Sequence, residues 1–471
     1  MTVHDGIRLD AAAKAALLAR MRQRPTSSEG AAAEEGPLYD ASFETLPGFE
    51  ELRFIRATGE ALGIANPFFR PHEGRAGALS RIEGREVINF ASYDYLGLNG
   101  HPQVSGAARE AMELYGTSVS ASRVVAGERP IHRALEARLA ALHGAEDAVV
   151  FVSGHAANVT TIGSLLGPDD VVFHDALIHN SVIVGAELAR ATRRSFPHND
   201  FAALERMLAS ERASSPASTR TRRALIVVEG LYSMDGDTPD LARLVALKQR
   251  FGAWLMVDEA HSVGVLGAKG RGIAEQAGLD PALVDIWMGT LSKSLASCGG
   301  YIAGPQALID VLKTSAPGFV YSVGLPPAAA GAALAALDVL EREGERVAAL
   351  RANSRHFIEA VQAAGLSTGT AEGHAIIPVM VGDSLKAVLL SERLLARGVN
   401  ALPIIHPAVP HRSSRLRFFI TAAHQRAQLD QTVRLLTEAF TESTRFLAEL
   451  GLGGEADGEE APRAFPPAWG E

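Results

Sequence analysis

Seven short runs of β-branched and aromatic residues, alternating with amphipathic helical patterns, constrain this chain more than any other feature. They are AVVFVS (148–153), DVVFHD (170–175), RRSFP (193–197), ALIVVEG (224–230), WLMVDEA (254–260), DIWMGT (285–290) and GYIAG (300–304). Inside runs such as LIVV and WLMV, apolar residues do not alternate with polar ones, so both faces of the resulting sheet need cover. Strands separated by helices and covered on both faces predict an α/β fold: a mainly parallel central sheet flanked by helices.

After Pro327 the pattern changes. A long helical stretch, 328–365, is followed by the run IIPVMVG, the helical LKAVLLSERLLARG and the run RLRFFIT. This predicts a smaller α+β domain at the C-terminal side, in keeping with 471 residues being more than one core usually supports. The expected division is an extension and linker over 1–60, an arm over 61–104, a large domain over 105–328, a small domain over 329–450 and a disordered tail over 451–471. Residues 1–24 read as an amphipathic helix, 25–37 (PTSSEGAAAEEGP) as a mobile linker, and 209–223 as a surface loop.

Charge and cysteine usage exclude several classes. The formal net charge is −9 and no basic tract dominates any segment, which argues against a nucleic-acid partner. One cysteine, Cys298, rules out an intramolecular disulfide and a cysteine-based zinc site, and fits a reducing cytoplasm. No metal site is expected. The first residues lack the apolar core of a signal peptide, and the Ala-rich 326–340 is too short to span a bilayer. The chain is expected to be cytoplasmic, with peripheral membrane contact left open.

In open parallel sheets, ligands collect beyond the carboxyl ends of the strands. That rule selects Ser153, Gly154 and His155 after one run, Asp175 and His179 after the next, Glu229 and Ser233 after a third, Asp258 and His261 after a fourth, and Thr290 and Lys293 after a fifth. Lys293 is a lone ammonium among small residues in GTLSKSLASCGG (289–300). It is either an exposed loop lysine or a nucleophile held as an imine, for which a flat aldehyde needs small neighbours. Asp258 ends a buried apolar strand, where a carboxylate needs a cationic partner. A protonated pyridine nitrogen is such a partner, which points to pyridoxal phosphate; the alternative is a helix cap. His261, three residues on, reaches towards the phenolic oxygen of such a ring.

The turn SGHAANVTTIG opens a helix whose first N–H groups make an anion seat, with hydroxyls to be added by Thr290 and by Ser322 of YSVGLPP. His179 either stacks on a flat ring or is a satisfied core histidine. Arg415 and Arg417 share a strand face and offer a guanidinium to a substrate carboxylate, unless that face is a solvated edge. His132, in GERPIHRALE, is a site residue or a plain cap.

Taken together, NFASYDYLGL, GERPIHRALE, FVSGHAANVTTI, DALIHNSV, PHND, VEGLYSMDGD, VDEAHSVGVLGAKGRG, GTLSKSLASCGGYIAG, YSVGLPP and RLRFFITAAH resemble, in order, the α-oxoamine synthases, pyridoxal phosphate enzymes of fold type I. The likeness runs from about 89 to 440. It implies that Lys293 carries the cofactor as an imine and acts as base, that Asp258 pairs with the pyridine nitrogen, that His261 contacts the phenolic oxygen and that His179 stacks on the ring and hydrogen-bonds the incoming carbonyl. Ser153, Gly154, His155 and Thr290 would hold the phosphate, with Ser322 reaching in from the second subunit of a homodimer. Ser233 would line the cofactor site and Arg417 would take the substrate carboxylate.

The resemblance also implies a decarboxylative condensation of an amino acid with an acyl thioester. Tyr93 is similar to the tyrosine of serine palmitoyltransferases, so L-serine, a long acyl chain and sphingoid-base synthesis are the first expectation. NPFFRPHEG and SGHAANVTTIG resemble domains attached to polyketide synthases, so the alternative is alanine or glycine with a carrier-protein-bound acyl chain. A second carboxylate-binding arginine would fall at Ile405-His406, where none stands. His155 replaces a common aromatic, and Val323 a common hydroxyl residue.

Overall fold

The computed structural model describes residues 41–46, 48–49, 52–53, 56, 65–214, 222–406 and 408–451. The chain divides into two units, Met1–Arg70 and Pro71–Glu471. In the first, a short turn, Phe43–Thr45, is capped by Ser42, whose hydroxyl accepts the Glu44 N–H at 3.2 Å. The predicted N-terminal helix, the linker and the acidic tail lie outside the described residues.

The second unit opens with a hairpin of β1 (Leu79–Ile82) and β2 (Arg85–Asn89). Its two-residue turn puts Glu83 at φ 51° and Gly84 at φ 72°, the left-handed pair that matches strand twist. The central sheet follows with β3 (Asp147–Phe151), β4 (Val171–Asp175), β5 (Thr192–Phe196), β6 (Ala224–Glu229), β7 (Trp254–Asp258), β8 (Ile286–Thr290) and β9 (Gly300–Gly304). These are the seven predicted runs. Their spatial order is β3-β9-β8-β7-β6-β4-β5, parallel throughout except for β9, which runs against both neighbours.

Side chains show why the runs do not alternate in polarity. Ile226 and Val228 of β6, and Leu255 and Val257 of β7, join one apolar cluster with Leu135, Leu139, Leu204 and Leu244 from helices on one face. Leu225, Val227 and Met256 join a second cluster with Ala157, Ile162, Val182 and Ile309 on the other. Strands β6 and β7 are therefore apolar in both directions, and each large buried side chain contributes about 1.5–3 kcal/mol.

The C-terminal part carries β10 (Ile376–Gly382), β11 (Val399–Asn400), β12 (Leu402–Ile404) and β13 (Ser414–Phe419). Strands β10, β13 and β12 form an antiparallel sheet, while β11 pairs in parallel with β2 of the hairpin. Two sequence expectations are corrected. The single helical pattern after Pro327 is two helices, Pro327–Arg342 and Glu345–Ala363, because the chain leaves helical geometry at Glu343 (ψ 58°) before Gly344, a poor helix former. The expected loop 209–223 begins as helix, since Phe201–Ser214 runs into it; residues 215–221 lie outside the described residues.

Among the described residues no helix is long and apolar enough to cross a membrane, and no group of acidic, His and Cys side chains is arranged for a metal ion.

Candidate active site

The carboxyl ends of β4, β6, β7 and β8 place Asp175, Glu229, Asp258 and Thr290 along one edge of the sheet. Glu229 and Asp258 pair in register on adjacent strands, so two carboxyls stand side by side in a buried setting. Asp258 accepts the Asn158 side-chain N–H at 2.9 Å on Oδ2 and the Ala260 N–H at 2.9 Å on Oδ1. It makes no ion pair among the described residues, so neutral amides are the partners that hold its charge.

Lys293 follows β8 in a tight turn and is half-buried, with Nζ 5.6 Å from the centre of the Tyr93 ring. Burial brings its ammonium down to about 8, against the opposing pull chiefly of Asp258, while Arg417 lowers it further. This is the amine that can act as a nucleophile or base near neutral pH. Beside it, a cavity of about 370 Å³ is lined by His72, Ser92, Tyr93, Asn99, Ser292 and Ser297, with small alanines between them.

One chain of hydrogen bonds joins Asp258 to the outer part of the site. Asn158 donates to Ser181 Oγ at 2.9 Å, and Ser181 Oγ lies 2.7 Å from His179 Nδ1. His179 is exposed as a residue while its ring is partly buried at Nδ1, with His155 edge-on at 6.5 Å. His261 is buried and bonded through Nδ1 to the Tyr95 hydroxyl at 2.7 Å; burial holds its imidazole well below the usual value and hence neutral.

The helix Gly154–Leu165 begins where β3 ends, with Ser153 Oγ accepting the Ala156 N–H at 3.0 Å. Gly154 packs against Thr290: a Cβ at Gly154 would fall 3.3 Å from Thr290 Oγ1, and one at Gly300 would fall 2.5 Å from Gly154 Cα. Only glycines let the helix start meet the β8–β9 corner. Thr290 Oγ1 donates to Gly299 O at 2.9 Å and lies 2.7 Å from Ser292 Oγ.

Packing separates the two arginines of β13. Arg415 is paired with Asp235 and donates to Met234 O at 3.1 Å. Arg417 donates from Nη1 to Ser233 O at 2.9 Å and stacks its guanidinium 4.6 Å from the Phe419 ring centre, while its buried Nε has no partner among the described residues. Tyr93, 40% exposed, packs edge-on to Phe419 at 4.8 Å.

Two candidates lie elsewhere. His132 is the third residue of its helix; Nε2 bonds to Leu325 O at 2.8 Å and Nδ1 accepts the Arg129 N–H, so it is a cap and tether. Ser322 sits in a crevice with Arg123, Phe319 and Val323, its hydroxyl donating weakly to Val323 O, and none of its contacts among the described residues reaches Lys293. The position expected to lack a second arginine holds His406, stacked on His411 at 3.9 Å.

Sequence reasoning gave no role to a triad behind the site. His198 bonds through Nδ1 to Asp175 Oδ1 and through Nε2 to Asp237 Oδ2, both at 2.9 Å. The two carboxylates outweigh burial and raise its imidazole to about 10. PHND was visible as a motif, yet nothing in its spacing foretells Asp237, 39 residues on. Tyr95 and Asn158 were missed for the same reason.

These residues fit pyridoxal phosphate. A buried carboxylate held only by amides suits a protonated ring nitrogen, and the unpartnered Arg417 Nε suits a bound acid.

The family model for aminotransferase class I and II matches residues 85–436. The 8-amino-7-oxononanoate synthase of Geobacter sulfurreducens is 44% identical over 381 residues, covering 80% of this chain and 93% of its own. That of Geotalea daltonii is 41% identical over 386 residues, covering 82% and 95%. Among solved structures, Sphingomonas wittichii serine palmitoyltransferase matches with a TM-score of 0.80 at 32% identity, over 86% of this chain and 99% of its own. The serine palmitoyltransferase of S. paucimobilis, with bound PLP and myriocin, matches with 0.80 at 29%, over 85% and 99%. The chain belongs to the aminotransferase class I and II family, in its fold-type-I architecture, and within it to the α-oxoamine synthases, which use pyridoxal 5'-phosphate.

Proposed function

We propose that this α-oxoamine synthase joins L-serine to a long-chain acyl thioester, releasing carbon dioxide and the free thiol and leaving a 3-keto long-chain amine of the sphingoid type. The observation that carries the reading is Lys293 in its half-buried turn, brought to about 8 and opening on a cavity whose Ser92, Asn99, Ser292 and Ser297 offer partners to a hydroxymethyl side chain. The serine palmitoyltransferase structures, matched along 99% of their length, support it.

Pyridoxal phosphate, bound through Lys293, supplies the electron sink for the carbanion. Asp258, oriented by Asn158 and the Ala260 N–H, would keep the ring nitrogen protonated. His261, fixed by Tyr95, would face the phenolic oxygen, with Ser233 lining the cofactor site. The helix start at Ser153, Gly154 and His155, with Thr290, would hold the phosphate. Arg417 would take the amino-acid carboxylate, and Tyr93 would bound the substrate side. His179 would cover the ring and hydrogen-bond the incoming carbonyl. Lys293 Nζ would then accept the α-proton, its lowered pKa leaving a larger share of the amine unprotonated near neutral pH than in an ordinary lysine. In this reading residues 105–328 are the cofactor domain and 329–450 the small domain of a cytoplasmic homodimer. The second subunit would supply Ser322, whose neighbours Tyr321 and Val323 are exposed apolar residues.

A second reading is favoured by the 8-amino-7-oxononanoate synthases at 41–44% identity. The product in their name ends in a methyl-bearing amino carbon, which alanine would leave, and here the acyl chain would come on coenzyme A or a carrier protein. Titrating the cofactor-loaded protein with serine, alanine and glycine, followed by visible absorbance, tests the choice. A saturable shift with serine supports the first reading; a shift with alanine but not serine replaces it with the second.

A further inference from the structure

Glu229 has no task in the proposed reaction, yet it stands among the residues that do. It ends β6 in register with Asp258 and is 3% exposed. Its Oε2 accepts the Ser233 N–H at 3.0 Å, while Oε1 is buried and without a partner among the described residues. The backbone after it is pinned: Gly230 N–H donates to Asp258 O at 2.8 Å, and a Cβ at Gly230 would fall 2.6 Å from Ser262 Oγ. The turn that Glu229 holds is the one whose Ser233 carbonyl accepts from Arg417.

Charged and titratable groups face Glu229 from every side. They are Asp258 on β7, Lys293 after β8, Arg417 on β13, Asp175 at the end of β4, Tyr232 in the loop after β6 and Tyr95 after the β1–β2 hairpin. Two neighbouring carboxyls in one buried site cannot both ionise cheaply. Asp258 has a donor on each oxygen, whereas Glu229 has a single N–H and one bare oxygen. The charge therefore belongs on Asp258 and the proton on Glu229. Burial and the Asp258 charge act in that direction, pushing the Glu229 carboxyl up to about 8.

We propose that Glu229 is a positioning residue that works as a neutral carboxyl, fixing the Ser233 turn and through it Arg417, and leaving Asp258 as the single anion beside Lys293. This rests on the functional reading above. Its consequence is that the Arg417 guanidinium meets the amino-acid carboxylate without a competing anion. Once Glu229 ionises, that carboxylate is repelled and its KM rises.

The test uses wild-type, Glu229→Gln and Glu229→Ala proteins loaded with pyridoxal phosphate. The pH at which the visible absorbance of the lysine–cofactor linkage titrates is measured, together with the amino-acid KM and kcat. Glu229→Gln keeps the N–H acceptor and the neutral charge, so its absorbance titrates within about 0.3 pH unit of wild type. Its KM stays within about threefold at pH 7 and loses the alkaline rise, whereas Glu229→Ala raises KM about tenfold with kcat changed less. A fall of about one unit or more in the Glu229→Gln titration would mean a charge had been removed, and would overturn the proposal. So would wild-type KM in Glu229→Ala. If the alanine variant does not fold, the glutamine titration decides alone. If wild type takes up no cofactor, the functional reading fails first and this inference goes with it.

Discussion

Arg415 and Arg417 leave the same face of β13 and reach the same loop, but only Arg415 finds an anion there. Arg415 pairs with Asp235 in a buried position, whereas Arg417 donates to the Ser233 carbonyl and keeps its Nε unpartnered among the described residues. The two substitutions should therefore separate. Arg415→Ala leaves a carboxylate without its cation and should cost about 3 kcal/mol of stability, read as a lower thermal midpoint. Arg417→Ala should leave that midpoint nearly unchanged and raise the amino-acid KM by about tenfold or more. The reverse pattern would exchange their roles.

Lys293→Ala should abolish turnover and the visible absorbance of the bound cofactor. The cofactor-free protein should gain stability from the same change, and the sign follows from the lysine's shift. Its folded value, about 8, lies below the ordinary lysine value of 10.5, so below pH 8 the fold is penalised for holding a charged amine. That penalty shrinks as pH rises from about 8 and is gone above about 10.5. The midpoint of Lys293→Ala should thus exceed that of wild type most clearly at pH 7 and converge with it near pH 10.5. A lower midpoint at pH 7 would mean the amine is better solvated than its setting implies.

How much of this was legible in the sequence depends on range. The inner strands β6 and β7 were readable because they are buried on both faces, so apolar residues run together without polar interruption, whereas the edge strand β5, with Arg193, Arg194 and Ser195, was carried by its place in the alternation with helices. The strand-end rule then collected Asp258, Lys293, Thr290 and Ser153 without knowledge of their contacts. The β1–β2 hairpin was not readable: in β1 the apolar Leu79 is exposed and Ser80 is buried, the inverse of the expected alternation. The division of labour between Arg415 and Arg417 depends on Asp235, 180 residues away, and no local pattern carries it.

Asp258→Asn tests the electrostatic part of the site separately from its geometry. Asparagine is nearly isosteric and its oxygen can still accept the Ala260 N–H, so the fold should persist. The charge that would hold a proton on the ring nitrogen is lost, and kcat should fall about 100-fold or more with a smaller change in amino-acid KM. Cofactor affinity, measured by absorbance titration, should weaken as well. A variant that keeps wild-type kcat would remove Asp258 from the catalytic assignment.

The Asp175–His198–Asp237 triad makes a prediction that needs no substrate. His198 spans the end of β4 and the loop after Ser233, donating to a carboxylate on each side while Tyr232 packs edge-on at 4.5 Å. Its imidazolium is held up to about 10 in the fold against an ordinary 6.5, so protonation stabilises the folded state. That contribution is fully present below pH 6.5, declines above it, and is lost as pH rises through about 10. His198→Gln can still reach one carboxylate but carries no charge, and it should lower the thermal midpoint most at pH 6. The deficit should narrow steadily towards pH 10. Because Asp237 belongs to the loop that carries Ser233, the variant should also raise the amino-acid KM through a loosened Arg417. A pH-independent deficit would show that His198 acts by shape alone, with its charge contributing nothing to the joint between the two loops.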